Sequence, residues 1–472
     1  MKTMEISRLD FLRGALASLG LSMLGGGPLF AAPPGWKPGG KPKLVLGVFS
    51  DTHLKTSMSG KKVAKGRGRT SHLENALKYF RDANVDAVVH CGDFAHRGLA
   101  KEIEFHAEVW RKIFPKNQAP DGHVVEKLFV TGNHDLEGSN YGAPVKVIYP
   151  DPKIRAGYVF ATDPAAHWKR IWGEKYETVW HKVVKGYHFV GCQWDSTATD
   201  ELIKFLKENK KLLSKSGKRH PFFLLKHSFP NGDVVNVLNG FDNGVCFHGH
   251  WHASAANWNM FRVKNGMPFF NCPSCEPRGE NALVGDGYIT KAKIGGRNAA
   301  GISRQGFVVR VYDDMLTIER REFGAGGSLG SDWVLPFDAA DLRADMKKRI
   351  GCPQFEKNAK LKVESVKLEK GEDGVRVTIP LADGNPDSRV YAYEVAVQDE
   401  KGDTKLLKAT YAAGVNMGIG YEPNKGITTI DIPKKQLPKG DAVTFSVCPL
   451  SSLGTRGNPI TLKHELGVVS ST

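Results

Sequence analysis

Five short polar motifs follow one another along the chain: Asp51-Thr52-His53, Gly92-Asp93, Gly132-Asn133-His134-Asp135, the isolated His227, and Gly249-His250-Trp251-His252. Carboxylate, imidazole and carboxamide are donors that divalent ions accept. The set contains no thiolate, so it suits a reactive Mn, Fe or Zn site better than a structural cysteine site. Two such ions side by side suit phosphoryl chemistry. A carboxylate bridges them, a phosphoryl oxygen is polarised, and a shared water becomes a nucleophile at neutral pH.

Each motif directly follows an apolar, strand-like run: LVLGVFS, VDAVVHC, KLFVT, FFLLK and GVCF. In open α/β sheets ligands bind at the carboxyl ends of strands, so one sheet edge should gather all five motifs. Between the runs the apolar period lengthens to that of helices. Ser71 to Ala83 has Leu73, Ala76, Leu77 and Phe80 on one face. Lys101 to Phe114 reads as a second helix. Glu201 to Ser214 reads as a third, with Leu202, Phe205, Leu206, Leu212 and Leu213 on its apolar face. Alternation of this kind predicts an α/β sandwich with helices outside packed sheets. The runs Gly306–Val311 and Met315–Glu319, with Asp313-Asp314 between them, predict a closing hairpin.

The ordered set DxH, GD, GNHD, a lone His and GHxH resembles the calcineurin-like metallophosphoesterase superfamily, across roughly Lys43 to Phe323. The resemblance implies a four-layer fold, two central mixed sheets flanked by helices. It also implies two divalent metal ions. Asp51, His53 and His252 would hold the first and Asn133, His227 and His250 the second, with Asp93 bridging. His134 would be a non-ligand imidazole near the leaving-group oxygen, and Asp135 would set its tautomer and raise its basicity. Arg97 matches the arginine of the phosphatase motif GDxxDRG and would bind a phosphate oxygen. His96 stands where relatives carry Asp, or the iron-binding Tyr of purple acid phosphatases. No tyrosinate–iron chromophore is therefore expected, and His96 is placed behind the ligands rather than among them. His90 should point away on its strand, and His248 should be structural.

The 472 residues are 41% hydrophobic and 25% charged, ordinary for a globular chain with room for two or three domains. A net charge of +16 favours phosphorylated or polyanionic partners. Nucleic acid is a weaker fit, because no dedicated binding module is visible. Lys55, Lys61, Lys62, Lys65, Arg67 and Arg69 follow the first motif with no acid among them, and read as a basic loop over the mouth of the site.

Residues 1–32 have the layout of a signal peptide with a twin-arginine-like start. Lys2, Arg8 and Arg13 precede an apolar run from Ala15 to Leu24, with cleavage expected near Ala31 or Ala32. The second arginine of that signal is replaced by Leu9. The run is short and broken by glycine for a transmembrane helix, so the expected location is extracytoplasmic, periplasmic or secreted. Seven scattered cysteines form no disulfide framework, although Cys272-Pro-Ser-Cys275 has the spacing for one local bridge.

Residues 324–355 read as a connector, with a helical piece from Asp338 to Ile350. From 361 to 465 the apolar period becomes two, in runs at 362–368, 375–379, 391–397, 428–432 and 443–447. This predicts a C-terminal β-sandwich of fibronectin type III-like form, without a catalytic constellation. The combined expectation is an exported, dinuclear-metal phosphoesterase, a phosphodiesterase or a phosphatase with diesters the favoured substrate class, that hydrolyses phosphate esters by attack of a metal-bridging hydroxide. The rivals are a nuclease on the same scaffold and a non-catalytic surface binding protein.

Overall fold

The computed structural model describes residues 38–466, apart from 60–61, 68–69, 138–151, 154–157, 216, 218, 253–254, 256–259, 265, 277–303, 324–326, 329–331, 339–351, 369–370, 384–389, 412–414, 417–419, 422–426 and 452–454. The segment expected to be a signal peptide lies outside the described residues. So does the helical piece expected after Asp338.

In chain order the first elements are β1 (Leu44–Phe49), β2 (Thr56–Ser59), β3 (Lys62–Arg67), α1 (Ser71–Asp82), β4 (Ala87–Cys91), α2 (Ala100–Ile113), β5 (Glu126–Val130), α3 (Asn133–Leu136) and α4 (Pro164–Trp172). There follow β6 (Val179–Val184), β7 (Tyr187–Cys192), α5 (Ala198–Glu208), α6 (Lys210–Leu213), β8 (Phe222–Lys226), α7 (Gly232–Leu238), β9 (Gly244–His248), β10 (Phe261–Lys264), β11 (Met267–Asn271), β12 (Gln305–Val311), β13 (Met315–Glu322), β14 (Gly327–Ser328) and β15 (Trp333–Pro336).

Two mixed sheets result. The first runs β14-β13-β12-β1-β4-β5, with β15 also on β13. The second runs β10-β11-β9-β8-β7-β6. Strands β1, β4 and β5 are parallel, as are β7, β8, β9 and β11. Side chains alternate across each strand. Val89, Cys91, Leu128 and Val130 therefore point into the space between the sheets, where they meet Phe223, Leu225, Val245 and Phe247. Val88 and Phe129 point outward onto α1, α2 and α4, against Leu77, Phe80, Ile103 and Trp110. On the far side Val190, Leu224 and Cys246 meet Leu202, Leu206 and Val234 of α5 and α7. The order of layers is helix, sheet, sheet, helix.

Several local expectations change. The third helix breaks at Asn209, whose side-chain amide donates to the Phe205 carbonyl at 2.9 Å and competes with the helix ladder. The break rotates Leu212 out to solvent, while Leu213 is buried. The basic loop is a two-stranded hairpin, β2 on β3, with Thr56 opposite Arg67. The connector contributes β15 to the first sheet, where Trp333 packs against Phe261 and Phe270 in the inter-sheet core. Cys272 and Cys275 are not bridged. Cys272 faces Cys91 between the sheets and Cys275 faces the His72 carbonyl under α1, because they lie on opposite faces of the first sheet.

Beyond residue 355, Lys362–Lys367, Asp373–Ile379 and Thr428–Pro433 form one antiparallel sheet. Thr404–Tyr411, Val390–Gln398, Ala442–Ser451 and Ile460–Glu465 form another. Val377, Ile379, Val395, Val397, Phe445 and Val447 share a core between them. The strands at 404–411 and 460–465 were not expected from the sequence. Ile460–Glu465 has only half-buried and exposed positions, so it shows little hydrophobic alternation.

Candidate metal centre

The five motifs leave the carboxyl ends of β1, β4, β5, β8 and β9, and the structure brings all seven proposed ligands to one place. In one group the His53 Nε2 lies 3.0 Å from His252 Nε2 and 3.5 Å from Asp93 Oδ2, and His252 Nε2 lies 3.2 Å from Asp51 Oδ1. In the other, Asn133 Oδ1 lies 2.9 Å from His227 Nε2 and 3.1 Å from His250 Nδ1. Asp93 Oδ2 belongs to both, since it is also 3.3 Å from His227 Nε2. That is the position a bridging oxygen needs.

The backbone is bent to achieve this. Asp51, His53, Asp93, His250 and His252 all have positive φ, between 42° and 79°. Non-glycine residues seldom occupy that region, and where they do the strain is held by surrounding structure, often at functional sites. Parallel pairing and isolated bridges hold it here. Asp51 N donates to the Gly92 carbonyl, His53 N to the Asp93 carbonyl and Leu54 N to the Phe94 carbonyl. Two glycines make room. A Cβ on Gly132 would strike the Asp93 carboxylate, and one on Gly249 would strike Ser50 Oγ and Asp51.

Each carboxylate has one oxygen anchored and one aimed inward. Asp51 Oδ2 accepts from His250 N at 3.1 Å, while Oδ1 faces imidazoles. Asp93 Oδ1 accepts from His134 N at 2.8 Å, while Oδ2 faces imidazoles. His227 Nδ1–H donates to the Cys91 carbonyl at 2.6 Å, which leaves its Nε2 lone pair pointing inward. Burial by itself would raise both carboxyls. The nearby imidazoles outweigh it, His252 and His53 for Asp51 and His227 and His53 for Asp93. Both carboxyls are held well below the usual carboxylate range. Two buried anions face imidazole nitrogens that also face one another, His53 against His252 and His250 against His227 at 3.3 Å. A cation in each group would satisfy all these lone pairs, so the donor set fits two divalent ions.

Two proposed roles need correction. Asp135 does not orient His134. Its Oδ2 accepts from Asp93 N at 3.0 Å and Gly132 N at 2.8 Å, and its Oδ1 accepts from Ala95 N at 2.7 Å. The side chain points back beneath the two motif loops and ties them together. His134 Nδ1 instead donates to the His96 carbonyl at 2.9 Å. Its ring stands edge-on to His53 with centroids 4.5 Å apart, and stacks on His96. His134 is thus beside the first group, with Nδ1 occupied. Arg97, expected on a phosphate oxygen, directs Nη1 to the Thr56 carbonyl at 2.9 Å. Its backbone N–H and that of Thr56 both go to the buried Glu102 carboxylate. Arg97 therefore anchors the start of the hairpin. Lys55 pairs with Glu276 at 2.8 Å.

His90 does point away. It stacks on Phe94 under the helices and accepts from Gly92 N at 3.1 Å. His248 is buried between Asn271 and Phe229, and burial pulls its pKa down to about 3.

Sequence reading missed the loop after β7. Gln193 Oε1 accepts from Thr131 N at 2.6 Å and Thr131 Oγ1 at 2.9 Å, and Trp194 N donates back to Thr131 Oγ1. These bonds fix the GNHD loop from the neighbouring sheet. No motif spacing marks them.

The family model described as calcineurin-like phosphoesterase matches residues 44–254. None of the curated proteins matches the chain. Among solved structures, Vps29 from Entamoeba histolytica complexed with zinc is 10% identical. The match covers 62% of this chain and 100% of that chain, with a TM-score of 0.27. An archaeal phosphodiesterase is 15% identical over 62% of this chain and 100% of its own, with a TM-score of 0.23. A putative 5'-nucleotidase from Staphylococcus aureus, in complex with alpha-ketoglutarate, is 10% identical over 83% and 89%, with a TM-score of 0.28.

Proposed function

We propose, from the premise that residues 44–254 form a calcineurin-like phosphoesterase domain, that this protein is a dinuclear-metal phosphoric ester hydrolase acting on phosphodiesters in preference to monoesters. The observation that carries this reading is the convergence of seven donors in two groups sharing Asp93 Oδ2. Asp51, His53 and His252 would hold one ion and Asn133, His227 and His250 the other, with Asp93 within reach of both. Divalent ions bound there, Mn, Fe or Zn, would supply Lewis acidity to phosphoryl oxygens and lower the pKa of a bound water. The rest falls to the chain. Anchored carboxylates and a fixed His227 tautomer keep the site preorganised, which is usually the largest contribution to stabilising a charged transition state. His134, as the imidazolium with Nδ1–H on the His96 carbonyl, presents Nε2–H as the group that gives its proton to the departing alkoxide and is left as the neutral Nδ1–H tautomer.

The test is metal analysis of purified protein together with turnover of bis(4-nitrophenyl) phosphate and 4-nitrophenyl phosphate, with Mn, Zn and Fe each supplied. Two equivalents of metal and preferred cleavage of the diester are expected. Asp93→Asn should lose metal and most turnover. Folded protein that takes up no metal, or an Asp93→Asn variant with unchanged turnover, would overturn the reading. An extracytoplasmic location is part of the proposal and rests on the charged and apolar pattern of residues 2–32. An intact Met1 on active protein confined to the cytoplasm would contradict it.

A further inference from the structure

Trp194 is a half-buried indole at the end of β7 that the reaction as described does not use. Its ring lies nearly parallel to His250, at 22° with centroids 6.1 Å apart, and edge-on to His227 at 5.7 Å. It therefore stands beside the second ligand group. Its position is held from two directions, since the backbone N–H goes to Thr131 Oγ1 at 3.2 Å and Nε1–H goes to Glu137 Oε1 at 2.6 Å. With its one polar atom satisfied, what the exposed part of the ring has to offer is an apolar π surface. Trp251, next to His250 in the chain, carries the Arg262 guanidinium 4.3 Å from its ring centroid.

The side of the site matters. His134 adjoins His53 of the first group, so the leaving alkoxide departs on that side. A substituent retained on phosphorus and directed away from that side would meet the second group, where Trp194 stands. We propose that Trp194 is a stacking platform for a planar aromatic substituent, aryl or nucleobase, retained on phosphorus, and so a specificity residue for aromatic phosphodiesters. This rests on the phosphoesterase reading and deepens it.

Calorimetric titration of metal-loaded, full-length protein with phenyl phosphate, adenosine monophosphate and methyl phosphate tests the proposal, because these are the products that would keep the retained group. Aromatic stacking on a side chain typically changes affinity about tenfold or more on truncation to alanine. Wild-type protein should prefer phenyl phosphate over methyl phosphate about tenfold. Trp194→Ala should bring that ratio close to one, and Trp194→Phe should retain most of it. A preference shared by adenosine monophosphate marks a nucleobase platform, and one confined to phenyl phosphate marks an aryl platform. Equal binding of phenyl and methyl phosphate by the wild type, or a ratio unmoved in Trp194→Ala, overturns the stacking role alone. Failure of metal-loaded wild type to bind any of the three overturns the phosphoesterase reading, and this proposal with it.

Discussion

Replacing Asp135 by Asn separates two accounts of the most conspicuous carboxylate in the GNHD motif. Motif reading makes Asp135 the partner of His134. The structure makes it the common acceptor for Asp93 N, Gly132 N and Ala95 N. An asparagine has one acceptor oxygen. Its best orientation keeps the two amides now on Oδ2 and turns its NH2 towards the amide of Ala95. One buried donor then loses its acceptor, at about 1–3 kcal/mol, and the two remaining bonds lose their charge assistance. Part of that cost is already present in the wild type. Burial and the neighbouring Asp93 raise the Asp135 pKa to about 7 against the pull of the amides, so the anion is not fully compensated. Neutral asparagine is relieved of that burial cost, which offsets part of the lost bonding, so a net loss of about 1 kcal/mol is expected against a typical stability of about 5–15 kcal/mol.

Urea unfolding of the metal-free variant measures the loss directly. Because the three amides belong to the loops that carry Asp93 and Asn133, metal content should fall as well. A variant within about 0.5 kcal/mol of wild type, fully metal-loaded, and slowed only on substrates with poor leaving groups would refute this account. It would put Asp135 back behind His134.

His134→Ala should spare metal content and slow an alkyl diester by about 10²–10⁴-fold. The loss should shrink for a nitrophenyl diester, whose leaving group needs no proton, and equal losses on both would refute the leaving-group role. Acid should destabilise the fold through His72 and His106, which burial holds neutral, with pKa values of about 4 and about 3 against 6.5 when unfolded. The unfolded chain binds the extra protons, so this stability is complete above pH 6.5 and falls below it at about 1.4 kcal/mol per unit for each histidine. Urea midpoints at pH 7.5 and 5.5 should show the drop, and His106→Phe should reduce the slope by one proton's worth; an unchanged slope would rule His106 out. Ending the chain near Gly351 should leave a soluble, active domain, because the later strands bury Val377, Val395, Phe445 and Val447 among themselves. Loss of small-diester hydrolysis in soluble, metal-loaded, truncated protein would show that those strands help to shape the site.

Much of the centre was legible because its determinants are local. Period-two apolar runs specify strands, and a polar residue just past a parallel strand has only the sheet's carboxyl edge to occupy. Asp51, Asp93, Asn133, His227 and His250 could therefore be placed near one another from residue types and order. The orientation of side chains past the strand ends was not legible. Asp135 reaches amides 40 and 42 positions back, His134 meets a carbonyl 38 positions back, and the indole of Trp194 bonds 57 positions away. Those partners are backbone groups or side chains delivered by turns at positive φ and by the approach of two separate sheets. A hydrogen bond is decided by where the backbone points once both sheets have packed, and no periodicity encodes that. The sequence by itself determined the inventory of donors and the edge that displays them. The tertiary structure decided which donor serves the centre, which holds a loop, and which aromatic face is turned towards the site.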